Sequence, residues 1–453
     1  MGHRVNFFNE VEEQQREEFL SNLKQLELQQ QPIVLWNEQI DRNVQRLVQK
    51  KEILAKLEDD KNQMALKKII KKIEQYVDKV KNPIYEIVFV GAIKAGKSTL
   101  INAILDKDLA STEVTPETAV TTKFKASDNN ENFIKVKFYN EKEWKELWKS
   151  VEKSESEIFL EEYEGTYTEV EREKWVGREE ITIVAESLEQ LKLELSKYTS
   201  SKSIVHYFVK EVEVNLKDFN LPKRVYFVDT LGLDDVVEYR ADMARKYINS
   251  ANAVIVCVKS DSLRREELFT ISEVFKNIKN KPEKVFIVGT QIDNLNNPKE
   301  DWEKQKYEWK KYLKGENYYG SQNLAENNLI GASAYIYNTI CEIGEITAKE
   351  KNNLIYFYNG KIDSIGEPIE CFKEDTLSQK FDEIKNWSNI PMLRNMISEN
   401  FLAEHTKALV DNFKNEYEII DLEVSRFAEK QIEELENLEL KEKIAYQYLA
   451  DII

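Results

Sequence analysis

Hydrophobic positions change their period twice along the chain, and the changes divide it into three. From Phe7 to about Lys81 apolar residues recur at helical spacing among Glu, Gln, Lys and Leu, and Pro32 is the only proline before Pro83, which predicts several amphipathic helices. The clearest has Leu66, Ile69, Ile70, Ile73, Val77 and Val80 on one face, with Lys67, Lys68, Lys71 and Lys72 around the other sides. Such a stripe needs something to pack against.

From Tyr85 to about Leu402 the pattern becomes short β-branched and aromatic runs separated by helical stretches, which predicts an α/β sheet. The runs are Tyr85 to Val90, Phe133 to Phe138, Val225 to Val228, Ala253 to Val258, Lys284 to Val288 and Asn328 to Ile330. Several are apolar almost throughout, as strands buried on both faces are. From about Ala403 to Ile453 the helical period returns, and Phe413, Tyr417, Ile420, Val424 and Phe427 step by four and three as a heptad seam does. The two helical segments are expected to share a bundle, giving domains 1–82, 83–402 and 403–453.

Composition sharpens this picture in three places. With 42% hydrophobic and 32% charged residues and only 13 Gly and 8 Pro, the chain is a folded, helix-rich protein. A net charge of −17 argues against nucleic acid as the main partner. Cys257, Cys341 and Cys371 are far apart and show no metal or disulfide spacing, which fits a reducing, cytoplasmic setting. His3, His206 and His405 show no metal spacing either and read as surface or satisfied core residues. The longest apolar runs are strand-sized against the roughly 20 residues that span a bilayer, and Asn6 stands where a myristoylation pattern wants Ser or Thr, so any membrane contact is expected to be peripheral.

The chemistry begins where the run Tyr85 to Val90 enters G-x-x-x-x-G-K-S between a strand and a helix. Gly91 and Gly96 let the backbone turn its N–H groups toward phosphate oxygens. Lys97 is suited to the β- and γ-phosphates, the Ser98 hydroxyl to Mg2+, and the helix start adds its positive dipole end. Gly91, Lys94, Ala95, Gly96, Lys97, Ser98 and Thr99 are the expected contacts here.

Four further stretches follow. In VYFVDTLGL a strand delivers Asp229, suited to Mg2+, and Gly232, whose N–H suits the γ-phosphate. In KVFIVGTQIDN, after Thr290 and Gln291, Asp293 is suited to accept from both N1–H and the amino group of guanine, whereas adenine has no proton at N1. A site built on such paired contacts discriminates strongly. The usual lysine of N/T-K-x-D is Gln291 here, so the stem covering the base is shorter; GTQID resembles the equivalent motif of some Rho-family small GTPases. In LIGASAYIYN, Ser333 and Ala334 stand where guanine-nucleotide proteins contact the base oxygen through backbone N–H. Before Asp229, STEVTPETAVTT offers Thr118, with Thr115 and Thr121 as alternatives, to close over the γ-phosphate and complete the Mg2+ shell. The metal set is therefore Ser98, Thr118 and Asp229, with Lys97 and Thr118 in catalysis and GTP and GDP as substrate and product.

With these elements in order, the chain resembles the dynamin superfamily, and within it bacterial dynamin-like proteins. The resemblance covers roughly Tyr85 to Leu402 and rests on GAIKAGKSTLINAIL, T-P-E-T-A, VDTLGL and NIPMLRNMISENFL. It implies an α/β P-loop GTPase domain, its mostly parallel sheet flanked by helices, with the N- and C-terminal helices forming a neck or stalk bundle. It further implies GTP hydrolysis stimulated by self-association of G domains and coupled to stalk movement that remodels membranes.

Three departures qualify it. Leu233 follows D-x-x-G where Ras-type proteins place a catalytic glutamine, so another group must act. Lys94 stands where eukaryotic dynamins carry a serine that helps hold a cation, and the alternatives are an ammonium acting in cis or a solvent-facing side chain. Ile93 replaces the nearby glutamine of eukaryotic dynamins. The segment after 402 is short for a full stalk and paddle, so a second dynamin-like or stalk-completing chain is expected, with peripheral contact to anionic membrane at its inner face as a further partner. The rival is a regulatory GTP-binding switch that recruits a protein through its helical bundle. The region from about Tyr335 to Trp387 carries no interpretable motif.

Overall fold

The computed structural model describes residues 38–56, 63–81, 83–92, 94–110, 120–154, 168–200, 202–219, 225–233, 237–261, 263, 265–278, 280–341, 346–359, 374–397, 402–435 and 450. The helices expected between Phe7 and Asn37, Ile93, Thr115, Thr118, His3 and Cys371 lie outside them. The chain divides into two compact units, one containing helices Glu38–Leu54, Gln63–Lys81 and Leu402–Leu435, the other the described residues from 85 to 397.

In the helical unit the three helices pack on one another. The stripe on Gln63–Lys81 buries Leu66, Ile69, Ile73, Tyr76 and Val80, while Ile70 and Val77 are half-buried. Tyr76 is thus the central residue the apolar count overlooks, because a phenol buries its ring only if its hydroxyl finds a partner. The hydroxyl donates to the Phe413 carbonyl (3.2 Å), and the ring meets Phe413 edge-on. On Leu402–Leu435 the buried positions among the described side chains are Phe413, Ile420, Val424, Ala428 and Gln431, with Tyr417 and Phe427 half-buried. The buried positions keep to the expected seam at Phe413, Ile420 and Val424 and move by one residue to Ala428 beyond it, because this helix packs against two neighbours, which takes a wider stripe than a two-stranded seam. Lys72 bonds both oxygens of Glu423 at 2.6 Å, so it belongs to this packing, whereas Lys67, Lys68 and Lys71 are exposed.

The other unit is built on a nine-stranded sheet: β1 Tyr85–Gly91, β2 Thr121–Ala126, β3 Asn132–Phe138, β4 Ile181–Ala185, β5 Val209–Leu216, β6 Val225–Asp229, β7 Ala253–Lys259, β8 Val285–Thr290 and β9 Leu329–Gly331. Its order is β4-β3-β5-β2-β6-β1-β7-β8-β9. The sheet is mostly parallel: β6-β1-β7-β8-β9 run together, and β2 is parallel to β5. The pairs β2–β6, β3–β4 and β3–β5 are antiparallel. In the parallel half, Val88, Val90, Val254, Val256, Val285 and Ile287 pack against Ile271, Val274 and Phe275 of helix Arg265–Asn277. Each fully buried branched side chain contributes about 1.5–3 kcal/mol relative to exposure.

The other half is held differently. Alternate residues of β2, β5 and β3 are Lys or Glu, and they pair across the strands: Lys123 with Glu211 (3.1 Å), Lys125 with Glu213 (3.5 Å) and Lys137 with Glu211 (3.1 Å). Burial pushes the Glu211 carboxyl up, but Lys123, Tyr247 and Lys137 more than offset it and hold it down at about 2. His206 is buried and bonded to the Ser203 carbonyl, and burial pushes it down to about 4. Among the described residues no helix is long and apolar enough to cross a membrane, and Cys257 and Cys341 are unbridged.

Candidate functional site: a nucleotide cleft at the ends of the parallel strands

Ligands of open α/β sheets bind beyond the carboxyl ends of the strands, and the motif residues collect there. β1 ends at Gly91, and the chain re-enters helix at Lys97–Leu105 through Gly96, whose φ of 78° suits glycine. Lys94 is also left-handed (φ 63°), a conformation that costs a non-glycine residue about 1–2 kcal/mol. Its carbonyl is held by the Gln291 side-chain amide (3.0 Å), and its side chain is exposed. Ala95 is buried and its carbonyl accepts from the Thr290 hydroxyl (2.6 Å), whose oxygen also lies 3.1 Å from the Val258 carbonyl. Thr290 therefore ties the phosphate loop to β8.

Lys97 is buried and its ammonium bonds the Asp229 carboxylate and the Thr230 carbonyl. Asp229 is the last residue of β6, paired in register with Phe89 of β1, so the strand pairing sets the lysine beside the carboxylate. Ser98 and Thr99 follow in the first turn of the helix, both half-buried. Gly232 is half-buried, and Leu233 packs in the core with Val88 and Val228, out of reach of catalysis. Thr121 opens β2 with its side chain buried.

A cavity of about 500 Å3 adjoins this loop, lined by Gly96, Thr99, Leu100, Thr290, Gln291, Asp293, Asn294, Ala332, Ala334, Tyr335, Lys349, Asn353 and Tyr356. Asp293 accepts from the fully buried Ser333 hydroxyl (2.5 Å). Burial raises the Asp293 pKa above the ordinary carboxylate value, against the opposing bond from Ser333. Ser333 is therefore bonded to the carboxylate, and Ala334 is the residue that lines the cavity.

Two supports escaped the sequence reading. Trp302 lies under both base-side loops: a Cβ on Gly289 would sit 2.2 Å, and one on Gly331 2.4 Å, from its ring. Helix Ile390–Asn395 and the turn before it clamp the far side. Asn389 donates to the Gly331 carbonyl (2.6 Å), Ser388 accepts the Ser333 N–H (3.0 Å), and Arg394 bonds Ala103 (2.7 Å) and Asp106 at the end of the phosphate-loop helix. Only the spacing of these residues in space, not in sequence, carries that signal. The region from Tyr335 onward, mute as sequence, supplies Lys349, Asn353 and Tyr356.

The glycine-turned loop at a helix start, the buried Lys97–Asp229 pair and the adjoining cavity give the unit the arrangement of a P-loop nucleotide-binding domain. Residues 87–292 match the Dynamin family profile, and the chain is similar to bacterial dynamin-like proteins. It is 27% identical over 244 residues to Dynamin-like protein 1 of Campylobacter jejuni subsp. jejuni serotype O:23/36 (strain 81-176), a span of 53% of this chain and 31% of that protein. The chain thus spans about a third of that curated relative. Among solved structures, an oligomerised bacterial dynamin pair, described as a mechanism for long-range sensing and tethering of membranes, overlaps at a TM-score of 0.45 and 20% identity, over 88% of this chain and 48% of that one. The LeoA bacterial dynamin GTPase from ETEC overlaps at 0.37 and 13% identity, over 88% and 50%.

Proposed function

We propose that the chain binds GTP and hydrolyses it to GDP and phosphate, that pairing of G domains stimulates the reaction, and that hydrolysis moves the helical unit. The observation that carries the reading is the half-buried Asp293, which lines a purine-sized cavity beside the phosphate loop. On binding, Lys97 would exchange Asp229 for phosphate oxygens, which would leave the Asp229 carboxylate to help hold Mg2+. Mg2+ fits the donors, since the Ser98 hydroxyl and the Asp229 carboxylate are the hard oxygens it prefers, with phosphates completing its shell. It would neutralise charge on the phosphates; Thr118 is assigned to orient water and Lys94 to add a positive charge in cis.

The similarity to bacterial dynamins further supports a second dynamin-like chain as partner and work at a membrane surface. Turnover measured against protein concentration tests this reading. Specific activity should rise with concentration, prefer GTP to ATP, and fall at least tenfold in Lys94→Ala while nucleotide affinity stays nearly constant, about 1.4 kcal/mol on the barrier. A flat, slow rate would instead support a switch that recruits a partner.

A further inference from the structure

The cavity assigned to the base has one wall that no nucleotide motif supplies. Lys349, Asn353 and Tyr356 line it, spaced i, i+4 and i+7 on one face of helix Ala348–Asn359. That helix is fixed on every side. Leu354 and Phe357 bury its adjoining face in the core. A capping box sets its first turn: Thr347 Oγ1 accepts the Glu350 N–H (3.3 Å), and Glu350 accepts the Thr347 N–H (2.7 Å). Tyr356 donates to the Asn296 carbonyl (2.6 Å) just beyond Asp293, and Asn353 donates to the Tyr335 hydroxyl (3.0 Å) just beyond Ser333. The helix is therefore bonded to both loops that read the base.

Across the cavity something is missing. Gln291 occupies the position of the lysine in N/T-K-x-D, and its side chain is committed to the Lys94 carbonyl (3.0 Å) and to Asn294 (3.3 Å). Neither a long aliphatic stem nor a positive charge is laid over the purine from there. Lys349 has both, is exposed at the cavity, and has no hydrogen-bond or ion-pair partner among the described residues.

We propose that Lys349 is a nucleotide-contacting residue that takes over this cover, closing the base end of the cavity over the purine from a helix outside the motifs. The inference rests on the guanine-nucleotide reading above. A cation over an aromatic face is attracted to it, and the stem shields the ring from water. Asn353 and Tyr356 are positioning residues that hold the helix to the loops.

Calorimetric titration of the full chain with GDP, GTP and xanthosine diphosphate tests it. Lys349→Ala should weaken GDP and GTP equally, by about 5- to 10-fold, because the phosphates lie at the other end of the cleft. Lys349→Arg should retain affinity, Lys349→Glu should lose more than Lys349→Ala, and the thermal midpoint should not move, since the position is exposed and alanine favours helix. Asp293→Asn is run alongside and should shift preference from GDP toward xanthosine diphosphate, whose added carbonyl accepts from the new amide. Wild-type affinity in Lys349→Ala together with that shift overturns the role of the lysine alone. Absence of the shift overturns the guanine reading beneath it.

Discussion

The two ends of the cleft are made in opposite ways. The phosphate end is one unbroken stretch, Gly91 to Thr99, working through its backbone; among its described side chains only Ala95 and Lys97 are buried. The base end is assembled from stretches around Thr290, Asp293, Ala334 and Lys349, and it stands on side-chain packing, with Trp302 beneath and Arg394 behind. A backbone site can be written in one short string. A side-chain site has to be gathered by the fold.

That contrast breaks most readily at Lys97. If the phosphate end depends on one buried side chain, Lys97→Ala, which leaves Asp229 buried without its partner, should cost about 3–5 kcal/mol in denaturant unfolding of the nucleotide-free protein and abolish nucleotide binding. Loss of binding with unchanged stability would show that the pair is not a structural element. At the base end packing should dominate: Gly289→Ala drives a methyl into the Trp302 ring and should cost about 1–3 kcal/mol in the same measurement. Equal stability of wild type and variant would remove Trp302 from the account. The smallest effect is electrostatic. Because burial raises the Asp293 pKa, and only the carboxylate accepts both guanine donors, GDP affinity should be full at neutral pH and fall as pH drops through that raised pKa, earlier than for an ordinary carboxylate. Titrations of wild type and Asp293→Asn across mildly acidic pH check it; the variant should lack this limb.

The same contrast explains what could be read from the sequence. Strands β1, β6, β7, β8 and β9 were legible because burial on both faces makes them apolar runs, and the phosphate loop because its chemistry is contiguous. Strands β2 and β5, reading TTKFKA and VKEVEVNL, were not, since their Lys and Glu are strand-forming only once each has its cross-strand partner. Strand β4, ITIVA, a short edge strand, was missed as well. Tyr76 was passed over for a related reason: the Phe413 carbonyl that licenses its burial lies on a helix far along the chain. At the base end the acid and its serine could be named, while the helix carrying Lys349 could not, because nothing in AKEKNNLIYFYN says what its polar face meets.

Trp302 has a consequence for how this cleft could change over generations. One indole packs against Gly289 near the end of β8 and Gly331 at the end of β9, so positions 289, 302 and 331 behave as a single unit of inheritance. A side chain at either glycine is excluded while the tryptophan stays, and a smaller residue at 302 leaves a void under both loops until something fills it. Each one-step path through these three positions passes through a less stable protein. Variation in what the cleft recognises is thereby steered toward its other wall, where the face of helix Ala348–Asn359 can be rewritten one residue at a time.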